Sequence, residues 1–445
     1  MIKEEPLLNV GIFSGIELTF SFPEQYKLSE NDKPDKTYKG TFNVAFHEGL
    51  INFEGRDLNM IEFEPVNPGN SSFELFNVKI GINFHWERTE KQVFEGNLKF
   101  IVEGDKLTAI NRVPLELYLT SVISSEMSAK ASEELLKAHA VISRSWLLSQ
   151  LQQKGKNIVK NSGFIESEME RIKWYDREDH SNFDVCADDH CQRYQGITRA
   201  STEKIRIAIK ATRGQVLCFE EEICDARFSK CCGGILEEFQ NCWENSPKPY
   251  LVGLYDNKSG KVNQENSSAS DLPDFSNEGN VRAWILGNPP AFCDTKDKKI
   301  LEQVLNNYDQ ETTDFYRWKV YYSNEEISQL VKQRSGIDFG EIQELIPIER
   351  GVSGRLVKLK IVGSKKSLII GKELEIRRTL SHSHLYSSAF IVEKKPEGFT
   401  LHGAGWGHGV GLCQIGAAVM GEKGYNYKEI LSHYYPDTKL SNLYK

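Results

Sequence analysis

From Gly403 to Gly411 glycine occupies every odd position, in the run Gly403-Ala404-Gly405-Trp406-Gly407-His408-Gly409-Val410-Gly411. If the run is extended, one face is bare backbone and the other carries Ala404, Trp406, His408 and Val410, because side chains alternate across a strand. A bare face admits the close approach of another chain or a sugar ring. The run is not a phosphate cradle: no frame satisfies G-x-G-x-x-G, and no Gly-Lys-Ser/Thr follows. A tight structural β turn is the alternative to a substrate-facing role for Trp406 and His408.

The 445 residues allow roughly two to four domains at about 100–200 residues each. Lys+Arg 55 against Asp+Glu 63 leaves a net charge of −8. That balance lacks the basic footprint that holds phosphate backbones, so it argues against a nucleic-acid partner. No run approaches the ~18 apolar residues that span a bilayer. Met1-Ile2-Lys3-Glu4-Glu5-Pro6 has no apolar leader region either, so the chain as given shows no export signal.

Periodicity divides the chain. Residues 1–108 read as strands, among them Val10–Phe13, Glu17–Phe22 and Leu98–Val102, separated by Gly, Asn and Pro turn signals. Residues 113–150 switch to helical period, and 214–260 return to strand-like pieces around Gly214 and Gly233-Gly234. The polar stretch 263–280 reads as a surface excursion. Residues 295–335 alternate between a helix (Leu301, Val304, Leu305), a strand (Trp318 to Tyr322) and a helix (Ile327, Leu330, Val331), and read as an insertion. Residues 340–400 are strand-like again, and a helical C-terminus follows the glycine run. The expected fold class is α+β: a β-rich N-terminal region (1–108), a mixed α/β core in two parts (109–262 and 341–445), and an inserted helical subdomain (263–340).

Pro114 suits the first turn of a helix, where its missing N–H costs nothing. Leu115, Leu119, Val122 and Ile123 fall within about 60° of one another's stripe centre, and Glu126 lies near its middle. A carboxylate in an apolar stripe at a helix C-terminus favours its protonated form, as a general acid requires. The alternative is that the helix ends before Glu126 and the side chain turns to solvent. A second helix starts at Ser132, whose hydroxyl can cap it, with Leu135, Ala138, Ile142 and Trp146 as its buried stripe. Lys137 and Arg144, seven residues apart, share another face, either as paired site cations or as two solvated surface charges.

Nine cysteines, mostly in one middle stretch, call for a local explanation. His180, Cys186, His190 and Cys191 fall within twelve residues and can supply a closed tetrahedral zinc shell of structural type. A Cys186–Cys191 disulfide is the alternative in an oxidising compartment. Cys218 and Cys224 flank a hairpin and could pair across it. The adjacent Cys231 and Cys232 cannot readily bridge each other, and Cys242, Cys293 and Cys413 read as buried packing thiols.

Several blocks together resemble the stage II sporulation protein D (SpoIID/LytB) family. They are Val113 to Leu119, Ser125-Glu126-Met127, Leu136 to Ser145, Ala211 to Leu217, Ser229 to Gly234, Pro249-Tyr250-Leu251, Gly405 to Ala417, and His433-Tyr434-Tyr435-Pro436, in family order over about 110–260 and 345–440. Two blocks depart from the usual pattern: Ser-Gly-Gly becomes Ser229-Lys230-Cys231-Cys232-Gly233-Gly234, and Cys413 replaces the Ser before Gln414. The resemblance implies a lytic transglycosylase that cleaves peptide-stripped peptidoglycan glycan strands. It also implies the alternative of a non-catalytic amidase enhancer bound to the cell wall beside an N-acetylmuramoyl-L-alanine amidase. Either role implies an extracytoplasmic location. Carried over, Glu126 matches the catalytic glutamate, Lys137 and Arg144 its basic supports, and Asp256 an acidic cleft position. His180, Cys186, His190 and Cys191 resemble the zinc cluster of members that have one. By residue type, Trp406 would stack on a sugar while His408 and Gln414 line the cleft.

Overall fold

Leu18, Phe20 and Phe22 are buried while Thr19 and Ser21 between them are only partly covered, the period-2 alternation of a strand with one face on a core. The same logic recurs through the first hundred residues and builds one sheet. The computed structural model describes residues 4–29, 36–80, 88–128, 130–154, 163–175, 180–188, 191–198, 202–257, 272–304 and 312–444. Contacts divide the chain into two units. The first comprises Met1–Ala129, Asp179–Gln215 and Asn442–Lys445; the second comprises Lys130–Glu178 and Val216–Ser441.

The first unit carries an 11-stranded sheet. Its main path runs Val185–Cys186, Leu7–Gly15, Lys106–Pro114, Asn97–Glu103, Met60–Pro65, Glu17–Leu28, Thr37–His47, Leu50–Phe53 and Arg56–Leu58. Ser72–Ile80 joins it on Glu17–Leu28 and pairs with Arg88–Glu95. Rings fill its core: Phe20 lies 5.1 Å from Phe100 and 5.4 Å from Phe63, and Phe22 stacks on Tyr26 at 4.2 Å. Each fully buried Phe contributes roughly 1.5–3 kcal/mol. The expected β-rich region is therefore present, but the expected boundary at 108 falls inside the strand Lys106–Pro114.

Helix α1 (Leu115–Glu126) follows that strand directly, with Pro114 at its N-cap position. The Glu5 carboxylate accepts the Glu116 N–H at 2.9 Å, placing a negative charge at the positive end of the helix. Helix α2 (Glu133–Lys154) opens the second unit, and Ser132 Oγ accepts the Leu135 N–H at 3.3 Å as its cap. Residues 138 to 148 of α2 are buried on every face, which marks an enclosed helix rather than a surface one.

The second unit also holds a 5-stranded sheet ordered Phe164–Glu166, Glu170–Lys173, Ser367–Gly371, Leu356–Gly363, Ile342–Arg350, and a 3-stranded sheet ordered Arg317–Ser323, Gly398–Ala404, Phe390–Lys395. Between them Trp318, Ile327, Val331, Leu359, Ile361 and Phe399 share one core. Arg317–Ser323 pairs with Gly398–Ala404 along its whole length. The strand Arg317–Ser323 within the expected 263–340 insertion is thus an integral strand of the C-terminal sheet. Part of the polar excursion, residues 263–271, lies outside the described residues. No described helix is long and apolar enough to cross a membrane.

Candidate functional site

Glu126 is the last residue of α1, so the helix runs through it rather than stopping short. Leu115, Leu119 and Val122 are at 0 % exposure and Ile123 at 1 %, as the stripe requires. Glu126 itself is half-buried. Its Oε1 lies 3.4 Å from the backbone N–H of Arg193, which donates to it. The carboxylate is therefore held at one oxygen without being enclosed.

Arg193 belongs to a segment whose upstream half is the proposed metal loop. Val185–Cys186 pairs in parallel with Val10 and Gly11. Gly11 permits this because a Cβ there would stand 2.7 Å from the Phe183 ring. Cys191 Sγ lies 3.6 Å from His180 Nε2 and accepts the Cys186 N–H at 3.4 Å. The donor atoms of His180, Cys186 and Cys191 all lie within 4.8 Å of one another, which fits a single ion held by one nitrogen and two sulfurs. His190, the fourth expected ligand, lies outside the described residues.

Downstream of Cys191 the segment is tied to the same helix and sheet. The Gln195 N–H donates to Ser121 Oγ at 3.1 Å, Tyr194 stacks on Tyr118 at 5.0 Å, and the Tyr194 hydroxyl reaches Asn111 Oδ1 at 2.5 Å. Burial pushes the Tyr118 phenol well above its ordinary range, and the nearby Cys191, Cys186 and Glu126 push it further. Tyr118 is therefore a neutral phenol near both the cysteine pair and Glu126, and its hydroxyl has no hydrogen-bond partner among the described residues. Neither Tyr118 nor Arg193 stood out in the sequence. Tyr118 entered only as one residue of the Val113 to Leu119 block, outside the apolar stripe, and Arg193 acts through its main chain.

Lys137 and Arg144 belong to the second unit. Lys137 Nζ lies 2.7 Å from Glu133 and 2.9 Å from Glu134, and those bonds raise its pKa. Arg144 is at 0 % exposure and its Nη1 donates to Ala140 O at 3.4 Å. The spacing allowed a solvated surface cation at 144; the structure corrects that to a buried one.

The glycine run is not extended past Ala404, where the strand ends. Gly405, Gly407, Gly409 and Gly411 have φ of +77°, +94°, +77° and +69°, a region costly for residues with a Cβ. The alternation thus serves a coil of successive turns in which every second residue takes a left-handed φ, rather than a strand with a bare face. The coil wraps the buried guanidinium of Arg355. Nε of Arg355 donates to Gly407 O at 3.2 Å and Nη1 to Cys232 O at 3.1 Å, while a Cβ on Gly409 would stand 2.4 Å from Cζ.

The other expected contact residues sit around this coil, mostly turned inward. Trp406 is half-buried, stacked on Phe315 at 4.7 Å with Tyr386 at 4.6 Å. His408 Nδ1 accepts the Val410 N–H at 3.0 Å. Desolvation first, then Arg227, Arg355 and Arg377, hold the His408 imidazole well below its ordinary range, so it is neutral. Gln414 is 2 % exposed, with Nε2 3.1 Å from His139 Nε2. Asp256 is at 0 % exposure and accepts from the Tyr434 hydroxyl at 2.8 Å. All nine cysteines are free thiols, and Cys218 lies opposite Ile223 in the hairpin where a bridge to Cys224 was possible.

Comparison with known proteins bears on this geometry. Residues 103–219, which include α1 and the cysteine segment, match the family described as Stage II sporulation protein. Residues 237–411 match a domain of unknown function. The chain is similar to an amidase enhancer of Bacillus subtilis, 24% identical over 93% of this chain and 52% of that protein. It is also similar to a stage II sporulation protein D of Bacillus amyloliquefaciens, 22% identical over 75% of this chain and 76% of that protein. An uncharacterised protein of Brachyspira hyodysenteriae is 24% identical over 77% of this chain and 70% of its own length. The chain thus spans about half the length of the amidase enhancer it matches.

Proposed function

We propose that this chain, which carries the SpoIID/LytB family's segment over residues 103–219, cleaves peptide-stripped peptidoglycan glycan strands as a lytic transglycosylase, with Glu126 as its single acid and base. The observation that carries the reading is the setting of Glu126: a half-buried carboxylate at the end of an apolar helix, with one oxygen held by the Arg193 N–H. The Glu126 carboxyl gives its proton to the glycosidic oxygen as the C1–O bond breaks. The resulting carboxylate takes the proton of the sugar's C6 hydroxyl, whose oxygen closes on C1 as an internal anhydro ring. Glu126 ends the cycle protonated and no water is consumed, so the second carboxylate of ordinary glycosidases is unnecessary.

His180, Cys186 and Cys191, with His190 as fourth ligand, would hold a structural zinc. A zinc there would supply no chemistry to the sugar, and its ligands would hold the segment that delivers the Arg193 N–H. The resemblance makes Lys137 and Arg144 the basic supports; Arg144 is buried and Lys137 is engaged by two glutamates. Asp256, Trp406, His408 and Gln414 shape the second unit rather than grip the glycan directly. The substrate puts the site of action outside the cytoplasm. Amidase-treated peptidoglycan incubated with the protein should yield anhydro-sugar ends by mass spectrometry, and ordinary reducing ends would reject the mechanism.

The match over 93% of the chain to a protein named amidase enhancer favours one second reading, a glycan-binding stimulator of an amidase. Co-sedimentation with stripped glycan without cleavage, together with faster amidase turnover, would select it.

A further inference from the structure

Four side chains from distant parts of the second unit converge on one point. The donor atoms of Cys232, Asp256, Cys293 and Cys413 lie within 4.8 Å of one another, and the residues are 2 %, 0 %, 1 % and 0 % exposed. Cys232 Sγ is 3.5 Å from Cys293 Sγ and 3.4 Å from Asp256 Oδ2. Around a tetrahedral zinc with Zn–S of about 2.3 Å and Zn–O of about 2.1 Å, neighbouring sulfurs lie about 3.8 Å apart and a sulfur and an oxygen about 3.6 Å apart. Both measured separations are close to those of two ligands on one ion.

The surroundings are those of ligands rather than packing thiols. Cys413 Sγ accepts the Cys232 N–H at 3.2 Å, and Cys232 Sγ accepts the Gly234 N–H at 3.4 Å. Asp256 Oδ2 accepts the Cys293 N–H at 3.1 Å, and Oδ1 accepts the Tyr434 hydroxyl at 2.8 Å. Such outer donors orient and stabilise thiolate and carboxylate ligands. A second observation points the same way. His433 is 8 % exposed, and its Nε2, without a hydrogen bond among the described residues, lies 3.5 Å from Asp256 Oδ1. Aspartate is rarely fully buried without a partner of this kind.

We infer that Cys232, Asp256, Cys293 and Cys413 form a closed structural site for a thiophilic divalent ion, zinc by the softness of its ligands. Four protein ligands leave no open position, so the ion fastens the fold and does not react. It would join the 231–234 turn, Asp256, Cys293 and Cys413, two residues past the glycine coil. The site is separate from the His180, Cys186 and Cys191 set, which lies in the other unit.

Zinc counted by mass spectrometry in the full chain, purified under reducing conditions, tests the two sites independently. Cys293→Ser and Asp256→Asn should each lose about one equivalent, while Cys218→Ser loses none. Cys186→Ser removes only the first site, and its retaining all zinc would count against that reading alone. Cobalt loaded into the Cys186→Ser protein should show the thiolate-to-cobalt charge-transfer band and the visible bands of a tetrahedral ion. This readout stands even if Cys293→Ser fails to fold. Absence of those bands would overturn the proposal. So would unchanged zinc in soluble Cys293→Ser, or an unreduced protein lighter by two hydrogens with Cys232 and Cys293 joined.

Discussion

The backbone N–H of Arg193 stands 3.4 Å from Oε1 of Glu126, so the residue that bears the proposed chemistry is held by a main-chain group 67 positions away. If Glu126 moves the proton, Glu126→Gln, unable to release and recover it, should lower glycan cleavage by about 10²–10⁴-fold and leave the unfolding midpoint nearly unchanged. Retained turnover in a soluble Glu126→Gln protein would remove this residue from the mechanism.

Because the contact comes from the main chain, the side chain of Arg193 is dispensable to it. Arg193→Ala keeps the N–H and should cleave glycan nearly as well as the parent, whereas Arg193→Pro deletes the donor. A hydrogen bond to a charged group contributes about 1.5–3 kcal/mol, and at this long distance the lower end applies, a loss of about tenfold. Equal rates for the two variants would show that the contact is idle.

The metal loop should act on Glu126 through the same segment. Removing zinc with a chelator, or substituting Cys186→Ser, frees one end of the stretch from Cys186 to Arg193. Turnover should fall with the metal lost at this site and return on adding zinc to the chelated parent but not to the variant. Activity indifferent to Cys186→Ser would confine the metal to local stability.

What could be read from the sequence was local. The α1 stripe and the Ser132 cap each depend on residues within a few turns of each other and took the expected form; the His180–Cys191 spacing is equally local, and three of its four donors lie together where described. What was hidden depended on distance or on the sign of a torsion. Glycine alternation is equally compatible with a strand and with a coil of turns whose every second residue has positive φ, and Arg355, which that coil surrounds, lies far upstream. Cys293 and Cys413 looked like packing thiols because their neighbours, Cys232 and Asp256, are brought in by the fold. Arg144 falls on a polar face by periodicity, yet α2 is enclosed on all sides at that level.

The coil makes a stability prediction of its own. In Gly409→Ala the new Cβ would meet Arg355 Cζ at 2.4 Å with φ at +77°, so both overpacking and backbone strain apply, together about 2–4 kcal/mol. Arg355→Ala strands the carbonyls of Gly407 and Cys232, at about 1–3 kcal/mol each. The double variant should cost less than the sum of the two, because shortening the side chain removes the clash. Denaturant unfolding of the three proteins checks this, and strict additivity would show that the coil does not close on the guanidinium.

His139 links stability to pH. Its ring is fully buried between Ser143 Oγ at 3.1 Å and Gln414 Nε2 at 3.1 Å. Desolvation, with a smaller push from Lys230, lowers its pKa to about 3. His384, also desolvated and facing Arg377, Arg378 and Arg334, is lowered to about 4. Between these values and the unfolded histidine pKa of about 6.5, the unfolded chain binds more protons than the folded one. Stability from these rings is therefore complete above pH ~6.5 and declines as the pH falls toward their folded values. From pH 7 to pH 5 His139 alone accounts for a loss of about 2 kcal/mol. Urea unfolding should show that loss in the parent and a shallower pH slope in His139→Gln, whatever its absolute stability. An unchanged slope in that variant would mean that His139 does not titrate on unfolding.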